Sequence, residues 1–244
     1  LENKFRTYYS RILFYSFLTK SKVNSLDEII ISFENTDNLR ILKNLNLNKN
    51  ILSLIRQYMN TFILSQLDYK IQNINNLAND EHLAPIQRAL TAINKFGKLS
   101  VSEITTPEKI CSEMIELLPN DCFKNLELEN HVIMDIASKA GEYAIAICRK
   151  INDLGIELSK VKKSILSIPT STIAYEFTRK IYEVLGLDIE CIASKFTSYD
   201  LLSIKKIDVN GKLTDNIDYE RIKCVLSQKK IFSEIELDDI IIEN

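Results

Sequence analysis

Over residues 4–18 and again over 51–76, apolar side chains recur every three or four positions, which predicts amphipathic helices; in the second run Leu52, Ile55, Met59 and Phe62 share one face. Between these runs, 33–38 and the Asn-rich 44–50 interrupt the period with side chains that compete for backbone hydrogen bonds, so helices joined by loops are expected. Another helix is predicted over 83–96, with Pro85 in its first turn, where a missing N–H costs little, and Gly97 just past its end. Gly97 marks the expected boundary between a helical N-terminal domain or spacer, 1–97, and a second domain, 98–244.

Beyond Gly97 the pattern alternates. Thr106 is suited to cap a helix that opens with Pro107, runs through Ile110, Met114, Ile115 and Leu118, and stops at Pro119. Residues 131–137 (HVIMDIA) read as a buried strand, and 141–154 as a helix with Ala144, Cys148 and Ile151 on one face. A second apolar strand follows at 164–168 (SILSI). The helix predicted over 171–185 buries Ile173, Phe177, Ile181 and Val184 and meets Gly186. Residues 189–193 (IECIA) read as a third strand. Strands and helices in this order predict an α/β fold with a parallel sheet, right-handed crossovers and a ligand site beyond the strands' C-terminal ends. Further on, Asn210-Gly211 between IKKIDV and KLT signals a hairpin, 217–228 reads as a helix, and the terminal LDDIIIEN has the make-up of a fourth sheet strand.

Composition narrows the classes. Five Gly and four Pro in 244 residues leave little turn chemistry for an all-β architecture, and 45% hydrophobic with 26% charged residues is the balance of a chain with a core. No run approaches the roughly 20 apolar residues needed to span a bilayer, and Leu1 does not open a signal peptide, so a cytoplasmic location with no membrane partner is expected. The five cysteines are scattered: Cys111, Cys148, Cys191 and Cys224 fall in apolar segments as small hydrophobes, and Cys122 falls in a loop. No cysteine pair has zinc-knuckle spacing, and His82 and His131 lie far apart, so no metal site is expected. A formal net charge of −2 supplies no general basic field for nucleic acid.

Three stretches in order, within about 99–200, resemble the adenine-specific DNA methyltransferases of bacterial restriction-modification proteins, whose cofactor half precedes the catalytic motif. EITTPEKICSEMIELLP, at 103–119, resembles the family's opening segment, a Thr-Pro followed by an amphipathic helix ending in Leu-Leu-Pro. The resemblance implies that Thr106 and Pro107 fold over S-adenosylmethionine and help hold its methionine end. Helix capping alone accounts equally for the Thr-Pro pair. IMDIASKAGEYAIAI, at 133–147, is similar to the family's Asp-Pro-Ala-x-Gly-x-Gly-x-Phe-Leu loop, with Asp135 in the place of the acid that engages the cofactor's amino group. In that comparison Gly141 stands at the second glycine, where the backbone approaches the cofactor's carboxylate, Tyr143 at the aromatic position, and Ser138 and Lys139 within the loop. In FTSYDLLSI, at 196–204, Asp200 resembles the acid that contacts the cofactor's adenine amino group, although an Asp after a strand also serves as a turn residue.

The sequence departs from the family at two points. Ile136 replaces the proline and Lys139 the first glycine; the lysine either pairs with the cofactor's carboxylate or crowds the site. The second strand, which in the family ends in a carboxylate for the ribose hydroxyls, here ends near Pro169 with Thr170 and Ser171, and Glu176 lies too far along the following helix.

The resemblance therefore implies a partial Rossmann-like fold of S-adenosylmethionine-dependent methyltransferases behind an N-terminal helical domain. Its cofactor is S-adenosyl-L-methionine, bound through Thr106, Pro107, Asp135, Ser138, Lys139, Gly141 and Asp200. The family's catalytic Asn-Pro-Pro-aromatic motif binds a flipped adenine. None of the four prolines here adjoins another, so the motif is expected to begin at or after Asn244 in a longer polypeptide, with this piece inactive by itself. DNA would be met through the full-length protein, along with other restriction-modification domains or subunits. The alternative is a methyltransferase-like scaffold that has lost the cofactor and docks the parts of a restriction complex.

Overall fold

The structure, a computed structural model, describes residues 2–100, 103–128, 131–193, 205–207, 209 and 212–218. The chain divides into two compact units, Leu1–Gly97 and Lys98–Asn244.

The first unit is helical: α1 (Glu2–Leu18), α2 (Leu26–Ile31), α3 (Thr36–Asn44), α4 (Lys49–Tyr58), α5 (Thr61–Ala78) and α6 (Pro85–Ile93). Its core forms where α1 packs along α5 and buries Ile12, Tyr15 and Phe17 together with Leu67 and Ile71. Polar starts set the helix boundaries. Ser25, Asn35, Asn48 and Asn60 each precede a helix and accept a hydrogen bond from one of its free N–H groups. The single helix expected over 51–76 is therefore two helices. Met59 is extended and Asn60 caps α5, so the expected common face is broken; Leu52 is buried but Phe62 is 72% exposed. Buried Asn75 ties the unit together by accepting from the Val23 N–H and donating to the Ser16 and Ser21 carbonyls.

The second unit is mixed α/β. Its elements are α7 (Glu108–Glu116), α8 (Asn120–Lys124), β1 (Ile133–Ser138), α9 (Glu142–Asp153), α10 (Leu158–Val161), β2 (Ile165–Pro169), α11 (Thr172–Leu185), β3 (Lys205–Ile207) and β4 (Leu213–Ile217). β1 and β2 are parallel, with Ile133 opposite Ile165 and Asp135 opposite Ser167. On the other edge of β2, Ile192 bridges Ser167 in parallel and the Ala193 N–H donates to the Ser167 carbonyl (2.8 Å). β2 thus runs between β1 and this segment, and all five of its residues are buried. The third strand expected over 189–193 is mostly a 3-10 turn, Ile189–Cys191, because the Asp188 side chain accepts from the Glu190 N–H and curls the backbone. Among the described residues the parallel sheet is accordingly β1 and β2 with one bridging segment, smaller than the parallel sheet of full strands expected.

α11 starts at the Ser171 cap and ends at Gly186 in the left-handed conformation (φ 76°). It covers the sheet with Phe177, Ile181 and Tyr182, the last bonded through its hydroxyl to Ser167 and to the Ile165 carbonyl. Each such side chain contributes about 1.5–3 kcal/mol by leaving water. β3 and β4 are antiparallel. The expected turn at Asn210-Gly211, all but Ile217 and Asp218 of the helix expected over 217–228, the terminal LDDIIIEN with Asn244, the FTSYDLLSI stretch with Asp200, and Cys224 lie outside the described residues. Ile217 itself ends β4 rather than starting a helix. Cys122 lies in α8, not in a loop. Among the described residues no helix is long and apolar enough to cross a membrane.

Candidate functional site

The C-terminal ends of β1 and β2 are where a parallel sheet offers ligands its free backbone groups. Two residues of β1 lie between Asp135 and Ser138 where β2 has one between their partners Ser167 and Pro169, a bulge that turns the strand end. Within this bulge the Ala137 N–H donates to Asp135 Oδ1 (3.3 Å). Asp135 itself keeps some exposed surface, but its Oδ2 is sealed from solvent and has no hydrogen-bond partner. Burial first, and then the Glu142 carboxylate, push the Asp135 carboxyl up to about 7, against the opposing effects of Ala137, Ser138 and Lys139.

The loop after β1 ends in Gly141, which precedes α9 in the left-handed conformation (φ 81°). A Cβ there would lie 3.0 Å from Ile181 Cβ. Glycine is therefore required both by the turn and by the closeness of α11. The Ser138 hydroxyl points into the core and bonds Thr178 (2.9 Å), and Ser138 is 1% exposed, so its side chain serves the packing of β1 on α11. The Lys139 ammonium reaches out of the loop to the Ile104 carbonyl (2.8 Å).

The Thr-Pro segment meets this loop. Pro107, not Thr106, occupies the cap position of α7, because Pro107 is extended (ψ 140°) and the helix begins only at Glu108. Thr106 is left outside, and its N–H donates to Glu142 Oε1 (3.0 Å). The other oxygen of Glu142 accepts from the Ala140 N–H (2.8 Å). Glu142 is only 6% exposed although it opens α9, and its carboxylate clasps the Thr106 segment to the loop. α7 packs on α9, where the Arg149 guanidinium pairs with Glu108 (2.7 Å) and the Tyr143 hydroxyl contacts Met114 Sδ (3.0 Å). At the end of β2, Thr170 Oγ1 donates to Glu103 (2.7 Å), which brings a carboxylate to a strand end that carries none in its own sequence.

Thr106, Pro107, Asp135, Lys139 and Gly141 thus gather around one loop, Ser138 turns inward, and Asp200 lies outside the described residues. Glu142 and Glu103 were not singled out by the sequence. The one visible signal was Glu142's position just after Gly141, at a helix start where an acid is favoured.

Other chemistry is sparse. Cys111, Cys148 and Cys191 are buried, and burial pushes each thiol up to about 12, which makes them poor nucleophiles. Among the described residues no group of three or more His, Cys, Asp or Glu is placed to hold a metal ion. A broad, open depression in the helical unit is lined by Ser21, Lys22, Asn35 and Asn38, and Ser21 and Asn38 are already engaged in hydrogen bonds of the fold. Comparison with family models, with curated proteins and with solved structures found no match to this chain.

Proposed function

We propose that the second unit is the cofactor half of an S-adenosylmethionine-dependent, adenine-specific DNA methyltransferase with a partial Rossmann-like fold, acting in the cytoplasm within a restriction-modification protein. The observation that carries this reading is the sealed, unpartnered Oδ2 of Asp135 at the end of β1. A buried acceptor without a donor costs about 1–3 kcal/mol, and an ammonium group placed there supplies the missing hydrogen bond. The order of β1, β2 and the Ile192 segment across the sheet supports the same reading, because it leaves the loop after β1 beside the end of β2.

In this proposal Asp135 accepts the amino group of the cofactor's methionine end. The Ala140–Gly141 turn allows a close backbone approach, and Thr106 and Pro107 cover the site. Glu103, held by Thr170, stands in for the ribose-binding acid that β2 lacks. Asp200 is assigned to the adenine amino group by resemblance alone. The cofactor supplies an electrophilic sulfonium methyl group, and these residues hold and orient it. Transfer to adenine needs the Asn-Pro-Pro-aromatic motif, which these 244 residues do not contain, so the chain by itself binds cofactor without methylating DNA.

A thermal unfolding series tests the reading. S-adenosylmethionine at a hundredfold its dissociation constant stabilises the unit that binds it by about 2.7 kcal/mol, and Asp135→Ala abolishes the shift. An unchanged transition at millimolar ligand in the wild-type chain counts against it. One observation favours a second reading, a methyltransferase-like scaffold for docking: the Thr106 and Ala140 amides are already taken by Glu142. Leu54, Tyr58 and Phe62, exposed on α4 and α5, would then serve contacts in a restriction complex. The same absence of a shift, with the chain folded, is what that reading expects.

A further inference from the structure

Glu142 holds two backbone amides that come from separate segments, Thr106 from the segment before α7 and Ala140 from the loop after β1. A carboxylate bonded to two converging N–H groups beside a helix start is the arrangement by which proteins bind a ligand's carboxylate or phosphate. Here the anion belongs to the chain itself. The other polar groups nearby offset it only in part. Asp135 adds a second carboxylate with an unpartnered oxygen, and Lys139, the loop's one cation, donates to the Ile104 carbonyl. The site therefore welcomes an ammonium group at Asp135, while a carboxylate on the same ligand finds its two donors occupied.

We propose that Glu142 is an internal competitor for the carboxylate of the amino-acid end of the cofactor. For that carboxylate to bind, Glu142 must leave the Thr106 and Ala140 amides, and its departure also releases the Thr106 segment from the loop. Affinity in the wild-type chain is set by this exchange of one carboxylate for another. The inference rests on the reading of the site as an S-adenosylmethionine site, and it makes Glu142 a residue that selects against ligands with a free carboxylate.

The test is calorimetric titration of the 244-residue chain, wild type, Glu142→Ala and Glu142→Gln, with S-adenosylmethionine and with methylthioadenosine, which lacks the amino-acid end. With both amides freed, Glu142→Ala binds S-adenosylmethionine at least about tenfold more tightly, since two charge-assisted hydrogen bonds pass to the ligand. Methylthioadenosine binding changes by less than about twofold, because it makes no demand on those amides. Glu142→Gln keeps one acceptor and loses the charge, and falls between the two; should circular dichroism show Glu142→Ala unfolded, a gain of at least about threefold in Glu142→Gln carries the test. Unchanged or weaker S-adenosylmethionine binding in the folded variants, with methylthioadenosine still bound, overturns the proposal and leaves the cofactor reading standing. Failure of both ligands to bind any of the three proteins overturns the cofactor reading and this inference together.

Discussion

Replacing Asp135 by Asn changes one buried charge and almost no volume. In the folded chain the Asp135 carboxyl is pushed from its ordinary 3.8 to about 7, by burial first and by Glu142 second. The native state thus holds a proton that the unfolded chain has already released over the interval between those values. Stability from this group is fully present below about pH 4 and is lost as pH rises through about 7. The loss runs at up to about 1.4 kcal/mol per pH unit, and over about three units it accumulates to about 4 kcal/mol. Asp135→Asn removes the titration, so its stability is the flatter of the two, and above about pH 8 the variant exceeds the wild type by as much as about 4 kcal/mol. Urea unfolding followed by circular dichroism at about pH 5, 6, 7 and 8 measures both curves. The gap between variant and wild type should widen steadily with pH, in the transition of the second unit alone. A gap that changes by less than about 1 kcal/mol between pH 5 and pH 8 refutes the account of Asp135 as a buried, charge-averse carboxyl.

Gly141→Ala places a Cβ in the left-handed region and 3.0 Å from Ile181 Cβ, and should cost about 2–4 kcal/mol, read as a lowered melting temperature of the second unit. Ser171→Ala removes the side-chain acceptor for the Ala174 N–H at the start of α11 and should cost about 1 kcal/mol in urea unfolding. Glu103→Gln weakens the acceptor beside Thr170, and under the proposed reading it should reduce S-adenosylmethionine affinity about tenfold in equilibrium dialysis while leaving the melting temperature unchanged.

Where local chemistry decides the backbone, the sequence was legible. Ser171 and Gly186 delimit α11 because a hydroxyl satisfies the first free N–H groups and a glycine accepts the left-handed turn at the end. The apolar run at 164–168 announced β2, which pairs over Ile165–Pro169 and is buried on both faces. Two expectations held only in part because a polar side chain outranked hydrophobic periodicity: Asn60 restarts the helix expected to continue through it, and Asp188 curls Ile189–Cys191 into a turn, leaving Ile192 and Ala193 to pair with β2. The site was legible only in part. Asp135 and Gly141 stand out by residue type, but the clasp made by Glu142 joins residues 36 positions apart, and no local pattern encodes such a contact. Glu103 meets Thr170 across 67 positions, which is why β2 read as lacking an acid at its end.

If the unpartnered oxygen of Asp135 seats the cofactor's amino group, binding must be coupled to loss of the Asp135 proton, which proton-linked calorimetry reads. S-adenosylmethionine is titrated into the 244-residue chain at about pH 6.5 in two buffers of different ionisation enthalpy. With its carboxyl at about 7, Asp135 is mostly protonated there and must give up that proton to pair with an ammonium group. One-site binding should release roughly 0.8 proton per ligand, and that release should be lost in Asp135→Asn. Binding heats identical in the two buffers, or no binding at millimolar ligand, would contradict this seat for the amino group.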